Sequence, residues 1–293
     1  MSSSLLLPLW AVHISEGVLT APWLAGGFAL AALLALLGAW RIKDEEIPQV
    51  AVLTAAFFAA SSIHIRIPPA SVHLLLNGLV GVILGRRAGL AIPLGLVLQF
   101  ALLGHGGWTP LGVNSCDMAL PALLAAALFA GLQRVPWLLR PWFRAALVAL
   151  SSFLWLLSLA YGIALLVSDR SAGAEWAIHL TLHPLVLAGV LVLSLVAAAV
   201  ERRLENAPEF PIGLLIGQVT VLATIALTSL VLAWGAVEPE NWRRLAEILF
   251  VAHLPIALVE GFVLGFAVSF LVRVKPEMVG WQERKDKSLV ISH

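Results

Sequence analysis

The sequence is poor in cysteine, tyrosine and charge. Its 293 residues include one cysteine, Cys116, and one tyrosine. A single thiol excludes a disulfide framework and any cysteine-based zinc site. Charged residues make up 12% of the chain, against about 25% in ordinary soluble domains. No P-loop is present, so the chain carries no ATP-binding motif of its own. A basic stripe is also missing, and the formal net charge of +1 gives no pointer to nucleic acid. No HExxH run occurs, which argues against a zinc protease of that kind.

Apolar sequence is what the chain has in quantity. Hydrophobic residues make up 60% and the mean hydropathy is +0.96. Apolar runs of roughly 15 to 25 residues recur along the whole length, more than a soluble core can bury. The period-two alternation of a membrane β-barrel is absent. The expected fold class is therefore an all-α polytopic membrane protein, a bundle of about seven to nine transmembrane helices. Nine apolar segments are read, near residues 17–40, 49–63, 72–85, 89–104, 117–133, 145–168, 177–200, 211–235 and 247–272. "MSSSLLLPLWA" lacks the positively charged start of a signal peptide, and its short apolar part contains Pro8.

The basic residues orient these segments. The connections alternate between two sides. One side holds Arg41, Lys43, Arg86, Arg87, Arg134, Arg140, Arg144, Arg202, Arg203, Arg273, Lys275, Arg284, Lys285 and Lys287. The other holds Arg66, Arg170, Arg243 and Arg244. Fourteen cations against four make the first side cytoplasmic by the positive-inside rule. The N-terminus is then expected outside and the C-terminus in the cytoplasm. Segments 72–85 and 89–104 have 14 and 16 residues, whereas a helix needs about 20 to span a bilayer core. They are read either as a half-depth hairpin or as helices leaning on neighbours. Gly81 and Gly85 offer a small-xxx-small packing face there.

With this topology, seven of the eight histidines fall at the outer end. They are His13, His64, His73, His105, His179, His183 and His253; His293 lies in the cytoplasmic tail. Imidazole suits divalent cobalt, nickel, copper and zinc. Calcium and magnesium want oxygen donors, and outer carboxylates are sparse. A His-rich, Cys-free outer site thus points to a borderline transition metal. For any one histidine, the alternative is an interfacial side chain that snorkels or bonds a carbonyl.

His64 and His73 flank "IRIPPASV", a loop stiffened by Pro68 and Pro69. A rigid loop between two ligands lowers the ordering cost of metal binding. His253 and Glu260 are seven apart and share a helix face. Glu260 at membrane depth is either functional or held by a hydrogen bond to backbone, Asn114 or Gln99. His179 and His183 are four apart, a chelating spacing on one helix face. Pro184 instead argues for a helix start or kink at that point.

Four stretches, "HISEGVL", "PQVAVLTAAFFAASSIHIRIPPASVHLLLNGLVGVILG", "GGWTPLGVNSCDMALPA" and "HLPIALVEGFVLGFAVSFLVRVKPEM", resemble the CbiM/NikM family in fixed order. These are the substrate-specific membrane components of energy-coupling-factor transporters for cobalt and nickel. The likeness is strongest to the CbiM branch, and covers residues 13 to about 133 and about 247 to 279. It implies a transporter component rather than an enzyme, with no prosthetic group and with Co2+ or Ni2+ as cargo. It implies as partners a transmembrane coupling protein, a pair of cytoplasmic ATPases and a small accessory membrane subunit. The implied location is the bacterial cytoplasmic (inner) membrane. The tail "RVKPEMVGWQERKDKSLVISH" from Arg273 and the "GRRAGL" turn are candidate partner contacts, or ordinary positive-inside anchors.

The resemblance also implies a site. Family members start Met-His, and the α-amine, the second residue's backbone nitrogen and its imidazole grasp the metal with a further histidine. Such planar nitrogen sets suit nickel(II) and can hold cobalt(II). The clamp histidine maps to His13, with Val12 in the position of the first residue. The further histidine maps to His73, with His64 as an extra ligand or neighbour. Glu16, His105, Asn114 and Glu260 map to supporting or path-lining positions, and His253 shares the face of Glu260.

Two departures are visible. His13 is not residue 2, so the α-amine of Met1 is eleven residues too far upstream. A start at a GTG codon for Val12 restores the Met-His opening, whereas processing after Ala11 exposes the α-amine of Val12 and serves the same chemistry; N-terminal sequencing decides. Residues 1–12 are accordingly read as an N-terminal extension, 13–279 as the membrane domain and 280–293 as a cytoplasmic tail. The second departure is an additional helical pair within about 142–210. Two rival functions are a multi-histidine haem or redox protein, testable by a Soret band, and an ATPase-independent metal channel.

Overall fold

The computed structural model describes residues 13–67, 70–135, 140–167, 173–203, 209–237 and 242–280. Within these, helices dominate: α1 (Ala21–Ala39), α2 (Ile47–Ser62), α3 (Asn77–Leu84), α4 (Ala88–Leu103), α5 (Leu111–Leu132), α6 (Pro141–Val167), α7 (Gly173–Thr181), α8 (Pro184–Arg203), α9 (Phe210–Gly235) and α10 (Trp242–Val274). Among the described residues, seven helical stretches are long and apolar enough to cross a membrane. They comprise α1, the combined stretch Asn77–Leu103, α5, most of α6, α8, α9 and most of α10. Proline stands in the first turn of α1, α2 and α9, where a missing N–H costs nothing. Large apolar side chains such as Leu36, Leu185 and Phe266 point outward, as a lipid-facing surface requires.

Between α2 and α3 lies a β-hairpin, β1 (His64–Ile67) and β2 (Ala70–His73), with His64 paired to His73 in antiparallel register. The apolar pattern alone predicts a helix from residue 72 here, and the structure differs. The β-branched Ile65, Ile67 and Val72 favour strand. Beyond them, the N–H groups of Leu75 and Leu76 are taken by the Glu260 carboxylate. Leu76 itself adopts φ +48, a conformation that no helix interior accepts. The helix therefore starts only at Asn77. The short α3 and α4 are no half-depth hairpin, because their connecting turn reaches the C-terminal end of α1. There Arg87 donates to the carbonyls of Gly38, Trp40 and Arg41 at 2.7, 2.8 and 3.0 Å, and pairs with Glu46 at 2.7 Å.

Glycine governs the closest helix contacts. A Cβ on Gly81 would collide with the Ala122 carbonyl oxygen, so α3 meets α5 backbone to backbone. Gly85 has a different role from the packing face expected from sequence: its φ of +54 turns the chain, and nothing lies within 4 Å of its would-be Cβ. On the α9–α10 interface, Gly213 and Gly217 press against Gly265 and Glu260–Gly261. That contact holds the backbone of Glu260 firmly in place.

The helices α6 and α8 pack on one another through a buried Arg144–Glu201 pair at 3.3 Å. Ser151 donates to Gln218, and the Trp155 indole donates to the Leu254 carbonyl at 2.7 Å, tying α6 to α9 and α10. His179 and His183 do not share a helix. Pro184 starts α8, and the chain breaks out of α7 after Thr181, leaving both imidazoles exposed on separate elements.

Candidate metal centre

Three separate segments bring imidazoles together at one end of the bundle. His13 lies in the loop before α1, His73 ends β2, and His105 follows the Gly104 that terminates α4 with φ +64. The His13 and His73 rings stack at 4.9 Å between centroids, 16° from parallel. His105 stands edge-on to both, at 5.0 Å from His13 and 6.5 Å from His73. His13 and His73 are buried and His105 is half-buried. Nδ1 of His73 lies 3.0 Å from the Leu74 carbonyl. A proton there makes Nε2 the lone-pair nitrogen, the one that serves a metal.

The N-terminal loop that carries His13 is fastened by side chains. Asn114 of α5 accepts from the Ile14 N–H at 2.8 Å and donates to the Ile14 carbonyl at 3.0 Å and the Gly106 carbonyl at 3.2 Å. Glu16 accepts from the N–H groups of Trp108 and Thr109 at 2.5 and 3.0 Å, and from the Thr109 hydroxyl. The Thr109 side-chain bond, followed by the bonds to the Thr109 and Trp108 backbone, holds the Glu16 carboxyl below its ordinary 4.5 despite some desolvation. Gly106 and Gly107, at φ +85 and +75, let the α4–α5 connection wrap around His13 and Glu16. On the far side, Thr20 N–H bonds the Gly235 carbonyl at 2.8 Å and Val237 N–H the Val18 carbonyl at 2.9 Å.

The remaining residues singled out by sequence are distributed as follows. Val12 and His293 lie outside the described residues, as does the side chain of His64, whose backbone pairs with that of His73. Glu260 is buried on α10 and grips Leu75 and Leu76, the loop after His73, rather than the N-terminal loop, Asn114 or Gln99. His253 is fully buried three turns inside α10, deeper than the second turn expected from sequence, because the helix begins at Trp242. Its Nδ1 lies 2.7 Å from the Leu249 carbonyl, and it makes none of the ring contacts of the cluster. Among the described residues, no three His, Cys, Asp or Glu side chains are set to hold a metal ion.

One buried carboxylate escapes the sequence reading. Asp117 of α5 is 2% exposed, within a helix long and apolar enough to span a membrane. Its Oδ2 accepts from the Thr228 hydroxyl at 3.2 Å. A lone Asp in the run "VNSCDMALPALLAAALFAGL" is the available signal, since an intramembrane carboxylate is costly and marks function by default.

Comparison with known proteins places this geometry in a family. The model of the cobalt uptake substrate-specific transmembrane region, CbiM, matches residues 13–190 and 184–278. A protein assigned to metal transport in Haemophilus influenzae is 43% identical over 118 residues, covering 40% of this chain and 57% of the relative. The cobalt transport protein CbiM of Geobacter sulfurreducens is 29% identical over 237 residues, covering 75% of this chain and 60% of the relative. The chain thus spans somewhat over half the length of these two relatives. A crystal structure described as a transition metal transporter aligns with a TM-score of 0.48 at 19% identity, over 89% of this chain and 93% of that one. The chain belongs to the CbiM family of cobalt uptake substrate-specific transmembrane proteins.

Proposed function

We propose that this chain is the ion-capturing membrane component of an energy-coupling-factor transporter importing Co2+ or Ni2+, with His13 and His73 as imidazole ligands. The observation that carries the reading is the convergence of His13, His73 and His105 from three segments to centroid separations of 4.9 to 6.5 Å. A borderline divalent ion is the species three neutral imidazoles attract. Binding turns the stacked His13 and His73 rings so that their nitrogens face one ion, and His105 stands beside them as a further donor or gate. Backbone nitrogen at His13 and Val12, and the His64 imidazole, belong to the same proposed donor set. Asn114 and Glu16 hold the N-terminal loop over the site, Glu260 holds the His73 loop, and His253 lies on the inward side.

The excess of cations at the end of α1, in the Gly85–Arg87 turn and after α10 favours that end as cytoplasmic, with the imidazoles outside. The bacterial cytoplasmic membrane is the proposed location, and 13–279 the membrane domain. A coupling protein, paired ATPases and an accessory subunit are the proposed partners. A fused cobalt transport protein CbiMQ of Methanocorpusculum labreanum and a fused nickel transport protein NikMN of Archaeoglobus fulgidus are relatives over 45% and 37% of this chain. Their fusion names fit such an assembly.

The test is calorimetric titration of the purified chain with Ni2+ and Co2+. His13→Ala and His73→Ala each abolish high-affinity binding, whereas His293→Ala leaves it unchanged. Unaltered binding by the first two variants would refute the ligand assignment.

A further inference from the structure

Two clasps hold the N-terminal loop that carries His13, and each bears a tryptophan that faces out of the bundle. On one side, the strap between α4 and α5 gives the N–H groups of Trp108 and Thr109 to Glu16. On the other, Leu19 bridges to Ala236 beyond α9, flanked by the Thr20–Gly235 and Val237–Val18 bonds. Trp108 and Trp234 are 54% and 71% exposed. Trp108 does not project beyond the helix ends. Its ring lies 6.0 Å from Phe28 of α1 and 5.6 Å from Phe100 of α4, so it folds back along the flank of both helices. There it continues the exposed apolar surface of Leu33 on α1 and Leu98 and Leu102 on α4. Trp234, in the last turn of α9, shares an outward face with Ala226 and Leu230 at four-residue spacing. Trp40 and Trp142 are exposed at the opposite end of the bundle. The 19 residues of α1 rise about 28 Å, close to a hydrocarbon thickness of about 30 Å. The two sets of rings thus sit near the two boundaries of a bilayer.

We propose that Trp108 and Trp234 dock onto the headgroup–carbonyl boundary of the phospholipid leaflet at the imidazole end, and that this lipid contact sets how firmly the His13 loop is held over the metal site. The inference rests on the function proposed above and adds the bilayer as a partner that tunes it. An indole has an apolar body and one N–H donor, which suits a boundary that is greasy below and polar above. The surface that carries both rings is continuous with the lipid-facing sides of α1, α4 and α9. The link to the site is short. Trp108 itself supplies an N–H to Glu16, and Gly235, which accepts from Thr20, directly follows Trp234. Gly104, Gly106 and Gly107 all have positive φ, so the α4–α5 strap lies outside any helix ladder. Asn114 and Glu16 tie it to the loop. A mismatch between belt spacing and bilayer thickness displaces such anchors, and a displaced Trp108 carries away the donors that Glu16 accepts.

The test varies the bilayer and leaves the imidazoles alone. The full chain is placed in nanodiscs of phosphatidylcholine with short, medium or long monounsaturated acyl chains. Hydrogen exchange at the Thr109 and Val237 amides and calorimetric Ni2+ affinity are read in each. In the wild type, exchange is expected to be slowest and binding tightest in the medium lipid, with Kd rising about threefold in the other two. Joint Trp108→Ala and Trp234→Ala substitution speeds exchange in the medium lipid and removes the dependence on thickness. Trp40→Ala, which deletes an exposed ring at the opposite end, leaves exchange in the medium lipid unchanged. The fluorescence lost in Trp108→Phe is quenched by a nitroxide near the acyl carbonyl and not by one near the terminal methyl. Thickness-independent exchange in the wild type overturns the proposal, as does an unchanged thickness dependence in the double variant. An equal effect of Trp40→Ala, or quenching from the terminal methyl, overturns it too. Absence of Ni2+ binding by the wild-type chain would instead refute the capture site. Exchange and quenching need no metal, and would then decide alone whether the two rings are lipid anchors.

Discussion

Glu260 accepts the backbone N–H groups of Leu75 and Leu76 at 2.5 and 2.8 Å. A carboxylate on α10 thereby fixes the loop that leaves His73, across 185 residues of sequence. These N–H groups lie outside any helix ladder, because Leu76 is the left-handed residue that precedes α3. Glu260→Ala strands both donors in the interior. An unsatisfied buried group costs about 1–3 kcal/mol, so the thermal midpoint in detergent falls and Ni2+ affinity falls with it. Glu260→Gln keeps an acceptor oxygen and is expected to lose less on both measures. Equal loss by the two variants would show that charge, not hydrogen bonding, secures the loop.

Glu16 gives the N-terminal loop a pH dependence whose sign follows from its bonds. The Thr109 hydroxyl, then the Thr109 and Trp108 N–H groups, favour the ionised carboxylate and hold its pKa below 4.5. A depressed carboxyl pKa contributes stability that is full above the unfolded value and is lost as pH falls through the folded one. The loop is therefore expected to stay docked at neutral pH and to loosen below about pH 4.5. Hydrogen exchange at the Trp108 and Thr109 amides, measured from pH 7 to 3, reads this directly. Glu16→Gln exchanges faster at neutral pH and loses the acid-dependent step.

Much of this arrangement is legible in the sequence. Apolar runs locate the long helices, and the motif around His13, His73, His105 and Asn114 gathers residues that do lie together. The differences have local causes. A strand at Ala70–His73 is hidden because a short apolar run reads equally as helix or strand. The helix start at Asn77 depends on Glu260, far away in the chain, so no window around residue 77 contains the signal. His183 falls just before the helix that Pro184 begins, so its four-residue spacing from His179 does not put the two on one face. Asp117 sits inside a motif that draws the eye to its neighbours, although its isolation among apolar residues is visible.

Arg87 supplies a stability prediction that leaves the metal site alone. Its guanidinium reaches three carbonyls at the end of α1 and the Glu46 carboxylate, while being 5% exposed. Lysine has one ammonium and cannot present the same fork. Arg87→Lys is expected to lower the thermal midpoint while Ni2+ affinity is unchanged. The same bond from Arg87, followed by the Lys43 N–H, holds the Glu46 carboxyl down at about 2. Stability from this pair is thus present above pH 4.5 and is lost as pH falls toward 2. An acid melt of Arg87→Lys shallower than that of wild type checks the linkage.

Gly81 and Gly85 separate two reasons for glycine within five residues. At Gly81 a methyl group would collide with the Ala122 carbonyl, so Gly81→Ala must push α3 away from α5. Overpacking of this kind costs about 1–3 kcal/mol. The displaced helix also carries Asn77, whose bonds to the Met118 carbonyl and the Thr224 hydroxyl lengthen with it. At Gly85 there is open space, and the cost of Gly85→Ala comes from φ +54 alone. Gly85 combines φ +54 with ψ −127, outside the left-handed helical region, where a non-glycine residue pays about 1–3 kcal/mol, and the turn lies at the end of the bundle away from the imidazoles. Both variants are therefore expected to melt earlier than wild type. Only Gly81→Ala should also reduce Ni2+ or Co2+ uptake in the assembled transporter. Wild-type melting by Gly81→Ala would mean that α3 and α5 have slack at their contact, and that the backbone approach at Ala122 is not what sets their spacing.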